Sequence, residues 1–211
     1  PRSQRSQTLL RMDSGRIDSE VPPKRHPGSR FEIHTPSAVA SVRGTRFGIA
    51  AGPDHASSDV SEGLVALAPV PAAKGPAGQE VLLRAGEGGH LGPDGRIDRA
   101  PLLDAPALAS LPTRFGSGER MAFELPAQPG AHAYRLRLLE APAGQHVLRE
   151  APVPGPRVEW PALPDGRYLL AVQGVDARGL PGRVATHGFT VQGAPAGTAA
   201  PHWQTGDGQP V

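Results

Sequence analysis

Apolar residues alternate with polar ones in short runs along this chain, and the 3.6-residue spacing of an amphipathic helix is nearly absent. In Arg30-Phe31-Glu32-Ile33-His34-Thr35, Phe31 and Ile33 share one face while Glu32 and His34 share the other. Met121, Phe123 and Leu125 repeat the pattern, and in 134–138 it sends Arg135 and Arg137 to the solvent side. Residues 168–172 are apolar on both faces, as a central strand covered on both sides requires. Further strand-compatible runs lie at 8–12, 39–42, 47–50, 64–67, 81–85, 147–149, 158–160 and 188–191. So many short strands separated by turns predict an all-β chain.

The punctuation divides these runs. Pro93-Asp94-Gly95 and Pro164-Asp165-Gly166 are tight-turn sequences, in which proline presets φ and glycine accepts a positive one. Gly52-Pro53-Asp54 and the stretches 69–78 and 152–156 read as longer loops. Across 101–112, Ala, Leu and Pro alternate without a period. Leu102, Leu103, Leu108 and Leu111 stand roughly at helical spacing there, but Pro106 interrupts them, so the segment reads as a linker. This predicts one domain over 1–100 and a second over 113–193. Residues 194–211 show no periodic apolar face and are expected to form a disordered tail.

Composition supports strands and turns. Gly 27 and Pro 25 make up about a quarter of the 211 residues, a load that weakens helix interiors. With aromatics at 4%, the core must rest mainly on Val, Leu, Ile and Ala. A net charge of +2 is too small for a dedicated nucleic-acid binder. The absence of Cys excludes disulfides, thiolate metal sites and a Cys nucleophile. No run approaches the roughly 18 apolar residues of a membrane span; the most apolar stretch, 64–73, is broken by Pro69 and Pro71. The chain opens on Pro1 and quickly enters a strand-like run, so it reads as a fragment with a truncated start.

Candidate chemistry is sparse. The eight His form no i, i+4 or alternate-residue pair, and no metal or other cofactor is expected. Asp54-His55 with Ser57 and Ser58 offers the residue types of a catalytic triad, but reads as a polar loop without a nucleophile elbow. Gly86-Glu87-Gly88-Gly89 has no following helix to aim N–H groups at a phosphate and reads as a turn. A non-enzymatic protein is expected. Arg16, Lys24, Arg25, Arg30, Arg43 and Arg46 either form a positive face toward an acidic partner or are solvated charges paired with Asp13, Asp18, Glu20 and Glu32.

The most specific segment runs from Thr35-Pro36 through Ala38, Ala40 and Val42 to Arg43-Gly44-Thr45-Arg46-Phe47. Proline withholds its N–H from a ladder and ends a strand, Gly44 permits a bend, and Phe47 and Ile49 resume the apolar face. This pattern resembles the signature of the FecR domain. Ser14-Gly15-Arg16-Ile17 before it, and Gly86-Glu87 with Asp94-Gly95-Arg96-Ile97 after it, resemble the domain's flanking segments, so the likeness covers roughly 1–100. The resemblance implies a bacterial, envelope-facing β domain, solenoid-like or roll-like, without catalytic residues. Its signature positions Thr35, Pro36, Val42, Arg43, Gly44, Thr45 and Phe47 would be structural or partner-contacting. Arg43 would bind loop carbonyls or touch a partner.

Residues 163–172, Leu-Pro-Asp-Gly-Arg-Tyr-Leu-Leu-Ala-Val, are similar to a turn and strand of fibronectin type III and other bacterial Ig-like domains. That likeness implies a small sandwich, with the Tyr168 ring packed inward and its hydroxyl near the turn. Together the resemblances imply a periplasmic or cell-envelope protein that binds or scaffolds a protein or cell-wall glycan, possibilities that include peptidoglycan. The alternative is a FecR-type regulator that relays an envelope signal to a sigma factor.

Overall fold

The computed structural model describes residues 7–22, 30–70, 78–141 and 147–193. Among these the chain is all-β, with no helix. The expected tail at 194–211, like Lys24 and Arg25, lies outside the described residues.

The first half builds two five-stranded sheets. One, called here the outer sheet, contains β1 (Gln7–Arg11), β3 (Arg30–His34), β4 (Ala38–Val42), β7 (Leu64–Pro69) and β8 (Val81–Arg84), in the order β1-β3-β4-β7-β8. The inner sheet contains β2 (Gly15–Val21), β5 (Thr45–Ala51), β6 (Ala56–Glu62), β9 (Glu87–Leu91) and β10 (Ile97–Pro101), in the order β10-β9-β6-β5-β2. All ladders are antiparallel except β1 against β3. Of the two shapes implied by the FecR resemblance, such ladders make a roll. The alternation predicted from sequence fills its interior: Ile33, Val65, Leu67 and Leu83 from the outer sheet meet Phe47, Ile49, Val60 and Leu91 from the inner one. Each such side chain contributes about 1.5–3 kcal/mol on full burial. Ala38 and Ala40, both fully buried, keep the layers close.

The chain changes sheet repeatedly, entering β2, β5, β7 and β9 through Gly15, Gly44, Gly63 and Gly86, all with positive φ. The crossings at Gly44 and Gly63 touch. A Cβ on Gly63 would stand 2.3 Å from the Gly44 carbonyl oxygen, so the two corners pack backbone to backbone.

The second half has its own core. Its larger sheet contains β11 (Arg114–Phe115), β13 (Ala133–Glu140), β14 (Val147–Val153), β16 (Gly166–Val175) and β17 (Ala185–Val191), ordered β11-β17-β16-β13-β14. A two-stranded sheet of β12 (Met121–Glu124) and β15 (Arg157–Trp160) covers it. The scarce aromatics gather here: Phe123 lies 5.3 Å from Phe115, 5.5 Å from Phe189 and 6.1 Å from Trp160 between ring centres, all edge-on. As anticipated, 168–172 lies in a central strand. The Tyr168 hydroxyl donates to the Pro164 carbonyl at 2.8 Å and ties the strand to the preceding turn.

Several sequence expectations are corrected. Ser57 and Ser58 lie in strand β6, buried over 56–60, rather than in a polar loop, because one face of β6 meets the roll interior and the other meets the second half. Gly88 and Gly89 lie in strand β9 instead of a turn; small residues are needed there since Leu180 and Leu102 press on one side and Leu83 on the other. The 152–156 loop begins later, as β14 runs to Val153. Arg135 is only 8% exposed and does not face solvent. The 101–112 segment has no helix, as expected, but Leu108 and Leu111 are buried in the second core.

Gly63→Ala is expected to destabilise the roll by roughly 1–3 kcal/mol, from positive φ and the clash with Gly44. Thermal unfolding of purified protein measures this, and an unchanged melting temperature refutes the packed-corner account.

Candidate functional site

The signature residues form a structural seam along the roll. Thr35, 7% exposed, turns its hydroxyl onto one peptide neighbour: Oγ1 donates to the Ala38 carbonyl and accepts from the Ala38 N–H, both at 2.9 Å. Thr45, 2% exposed, does the same across the sheets. Its Oγ1 donates to the Leu64 carbonyl at 2.9 Å and accepts from the Leu64 N–H at 3.3 Å. The two threonines therefore close the β3–β4 turn and hold the β4–β5 crossing against the β6–β7 crossing. Pro36 is exposed at the first of these. Val42 and Phe47 belong to the core, and Gly44 makes the bend with φ 65°. Arg43 points away from the seam, onto the face of the outer sheet that no described residue covers.

That face carries a shallow groove among Phe31, Ser41, Arg43, Leu64, Ala66 and Glu80. Arg30 and Glu32 lie alongside, with Glu32 3.0 Å from His34 and 3.9 Å from Arg30. Leu64 and Leu82 are 40% and 43% exposed. Among the described residues, neither Arg43 nor Arg84 has a carboxylate at ion-pair distance. The four described cations of the six considered from sequence, Arg16, Arg30, Arg43 and Arg46, do not form one face. Arg46 is held between Glu20 at 3.2 Å and Glu62 at 2.7 Å, and Arg16 lies on the opposite, inner sheet.

The inner sheet's outward face shows the densest polar arrangement. Asp18, Gly48, Asp59 and Gly88 stand in register across β2, β5, β6 and β9. Arg16 Nη2 bridges the two carboxylates, 2.8 Å from Asp18 and 2.7 Å from Asp59. A Cβ on Gly48 would lie 1.8 Å from that nitrogen, so only glycine leaves room for the bridge. The second half closes over this row. Arg135 Nη2 donates to Asp18 at 2.5 Å, its Nε donates to Glu150 at 2.7 Å, and its Nη1 donates to Gln173 at 3.2 Å. Arg137 adds a contact to Asp18 at 3.3 Å, while Gln173 donates to the Gly182 carbonyl at 2.8 Å.

The electrostatics differ at the two aspartates. Partial burial alone would raise the Asp18 pKa, but the Arg135 hydrogen bond and the charges of Arg16, Arg135 and Arg137 outweigh it and hold the carboxyl below its ordinary value. Asp59 is 4% exposed; burial pushes its pKa up against the opposing pull of Arg16. Sequence reading reached Arg16 and Asp18 as a possible pair. It missed Asp59 and Gly48, whose meeting with Arg16 depends on the pairing of β2, β5 and β6, and Arg135 and Gln173, which arrive only when the second half covers that sheet.

The triad residue types do not assemble. His55 lies 3.1 Å from Asp54 at the surface, whereas the fully buried Ser58 donates to the Gly48 carbonyl. Among the described residues no cluster of three or more His, Asp or Glu is placed to hold a metal.

The architecture is all-β, with two five-stranded sheets over one core followed by a five-stranded and a two-stranded sheet over another. Residues 1–66 match the family model described as FecR protein, a stretch that contains the whole signature. No relative is found among curated proteins. Two crystal structures of a proposed anti-sigma factor from Parabacteroides distasonis are similar. One is 20% identical with a TM-score of 0.38, covering 46% of this chain and 42% of that chain. The other is 18% identical at the same TM-score, covering 47% and 51%. The extracellular domain of a proposed hybrid two-component system from B. thetaiotaomicron is 11% identical over 81% of this chain and 30% of that one, with a TM-score of 0.28. The chain spans about half, or less, of the length of these structures.

Because the folded Asp18 pKa is lowered, its stabilisation is present above the ordinary carboxylate range and is lost as pH falls through that lowered pKa. Asp59, raised, has the opposite sign and favours the folded state at low pH. Asp18→Asn should therefore lower stability at pH 7 by roughly 1–3 kcal/mol, with the deficit shrinking as pH falls below about 4. Asp59→Asn should cost less at pH 7, since it removes a buried charge. Melting curves of both variants from pH 3 to 8 check the two signs.

Proposed function

We propose that this chain is the non-enzymatic binding portion of a FecR-type regulator, which acts in the bacterial envelope by contacting another protein and relaying a signal toward a sigma factor. The observation that carries the reading is the match of residues 1–66 to the FecR family, whose signature here builds the seam and leaves the charged side chain of Arg43 outside it. Arg43 and Arg84, with Leu64 and Leu82 between exposed strands, suit an acidic protein segment that also offers apolar side chains.

The organisation in this proposal is a FecR-like domain over 1–100, a connecting segment over 101–112, and a fibronectin type III-like or Ig-like domain over 113–193. Support for the last part comes from strand order β11-β17-β16-β13-β14 over β12-β15, and from Tyr168, which bonds back to the turn before its strand as the tyrosine corner of such sandwiches does.

A peptidoglycan-associated scaffold has less behind it. Sugar rings are commonly held against exposed aromatic faces, and among the described residues the large exposed apolar side chains are all Leu or Val.

The double substitution Arg43→Glu with Arg84→Glu tests the reading in the intact protein. It should weaken in-cell crosslinking to an envelope protein by tenfold or more and change a sigma-dependent reporter. Sedimentation with purified peptidoglycan, together with an unaltered crosslinking pattern and reporter, would overturn it.

A further inference from the structure

The contact between the two sandwiches combines two features of unlike chemistry. The first is the polar row already described, in which Arg16, Arg135 and Arg137 face Asp18, Asp59 and Glu150, three cations to three carboxylates, with Gln173 beside them. The second is at the connecting segment. Leu102 N–H donates to the Gly86 carbonyl of the first sandwich at 2.9 Å, and the carbonyl of the next residue, Leu103, accepts from Arg183 N–H of the second at 2.8 Å. Adjacent residues are thus anchored to opposite bodies, and only the bonds between those anchors need rotate for the bodies to separate.

We infer that Leu102–Leu103 is a hinge and that the carboxylate of Asp18, gripped by Arg135 and Arg137, is a reversible latch that keeps the second sandwich closed over the inner sheet. The balance of forces supports reversibility. Charges removed from water give back much of their attraction as desolvation cost, so a paired interface is held less firmly than its short distances suggest. Asp18 keeps 34% of its side chain accessible and Glu150 keeps 44%, leaving ions and water a route to the grip. The apolar share of the contact centres on Leu102 and Leu180 over Gly88, and on Leu103 against Gly182. It lies beside the hinge, at the Gly88 end of the polar row.

Opening would uncover the Asp18-Gly48-Asp59 row and turn a hidden face into an accessible one. This is a conformational device additional to the partner surface on the outer sheet, and it stands or falls independently of that surface.

The chain has no Cys, so two introduced ones at exposed Asp98 and Arg120 can carry spin labels on the first and second sandwich. In the otherwise unaltered chain at low salt a single distance is expected. Asp18→Asn, Arg135→Gln and 1 M NaCl should each add a second population with a different distance, while circular dichroism stays that of the folded protein. The double variant should be no more open than the more open single variant, because both remove the same grip. A single unchanged distance in the folded Asp18→Asn variant and at 1 M NaCl would overturn the latch. So would strictly additive effects of the two substitutions. Should Arg135→Gln unfold, Asp18→Asn and the salt titration still decide the matter.

Discussion

Two sheets that share an interior oblige the chain to pass repeatedly from one to the other, and those passages govern this molecule. At each one the backbone leaves a ladder, and its N–H and C=O groups must find other partners or pay for burial without them. The seam at Thr45 answers that requirement with one hydroxyl, which serves both polar groups of Leu64. Glycines at 44 and 63 let the two corners approach until no Cβ fits between them. Without this pairing the outer and inner sheets would have no fixed register, and the alternation of apolar residues would not close into one core.

The same economy explains why the FecR signature holds so little that is free to react. Its threonines, glycine and apolar residues are consumed by the turn, the crossing and the core. Arg43 is the exception, and its position follows from the period of two: Val42 points inward, so its successor points out. The side chains left exposed therefore lie on the sheet faces. Among the described residues the outer face is uncovered, whereas the inner face is occupied by the second sandwich through a balanced set of charges.

Local pattern was informative wherever one face of a strand met water. Phe31 and Ile33, Met121 and Phe123, and the turn before Tyr168 could be placed from their neighbours alone. It failed where both faces were covered for different reasons. Ser57 and Ser58 look like a loop because they are polar, yet Ser58 is buried in a strand with its hydroxyl bonded to the Gly48 carbonyl, and the next residue, Asp59, meets Arg16. Gly88 and Gly89 look like a turn because glycine dominates turns, yet here their lack of side chains admits leucines from both sides. Arg135 looks solvated because its alternation is regular; nothing in its own segment announces Asp18, more than a hundred residues earlier.

The sequence by itself determined the class of fold and turns such as Pro93-Asp94-Gly95, because these depend on period and φ, properties of short stretches. Only the tertiary structure decided which face of each sheet is covered. Covering a face is an event between distant segments, and it converts ordinary surface charges into a buried, mutually dependent set. That conversion separates Asp18, held ionised by guanidinium groups, from Asp59, pushed toward its neutral form by burial, although both are aspartates on neighbouring strands of regular pattern.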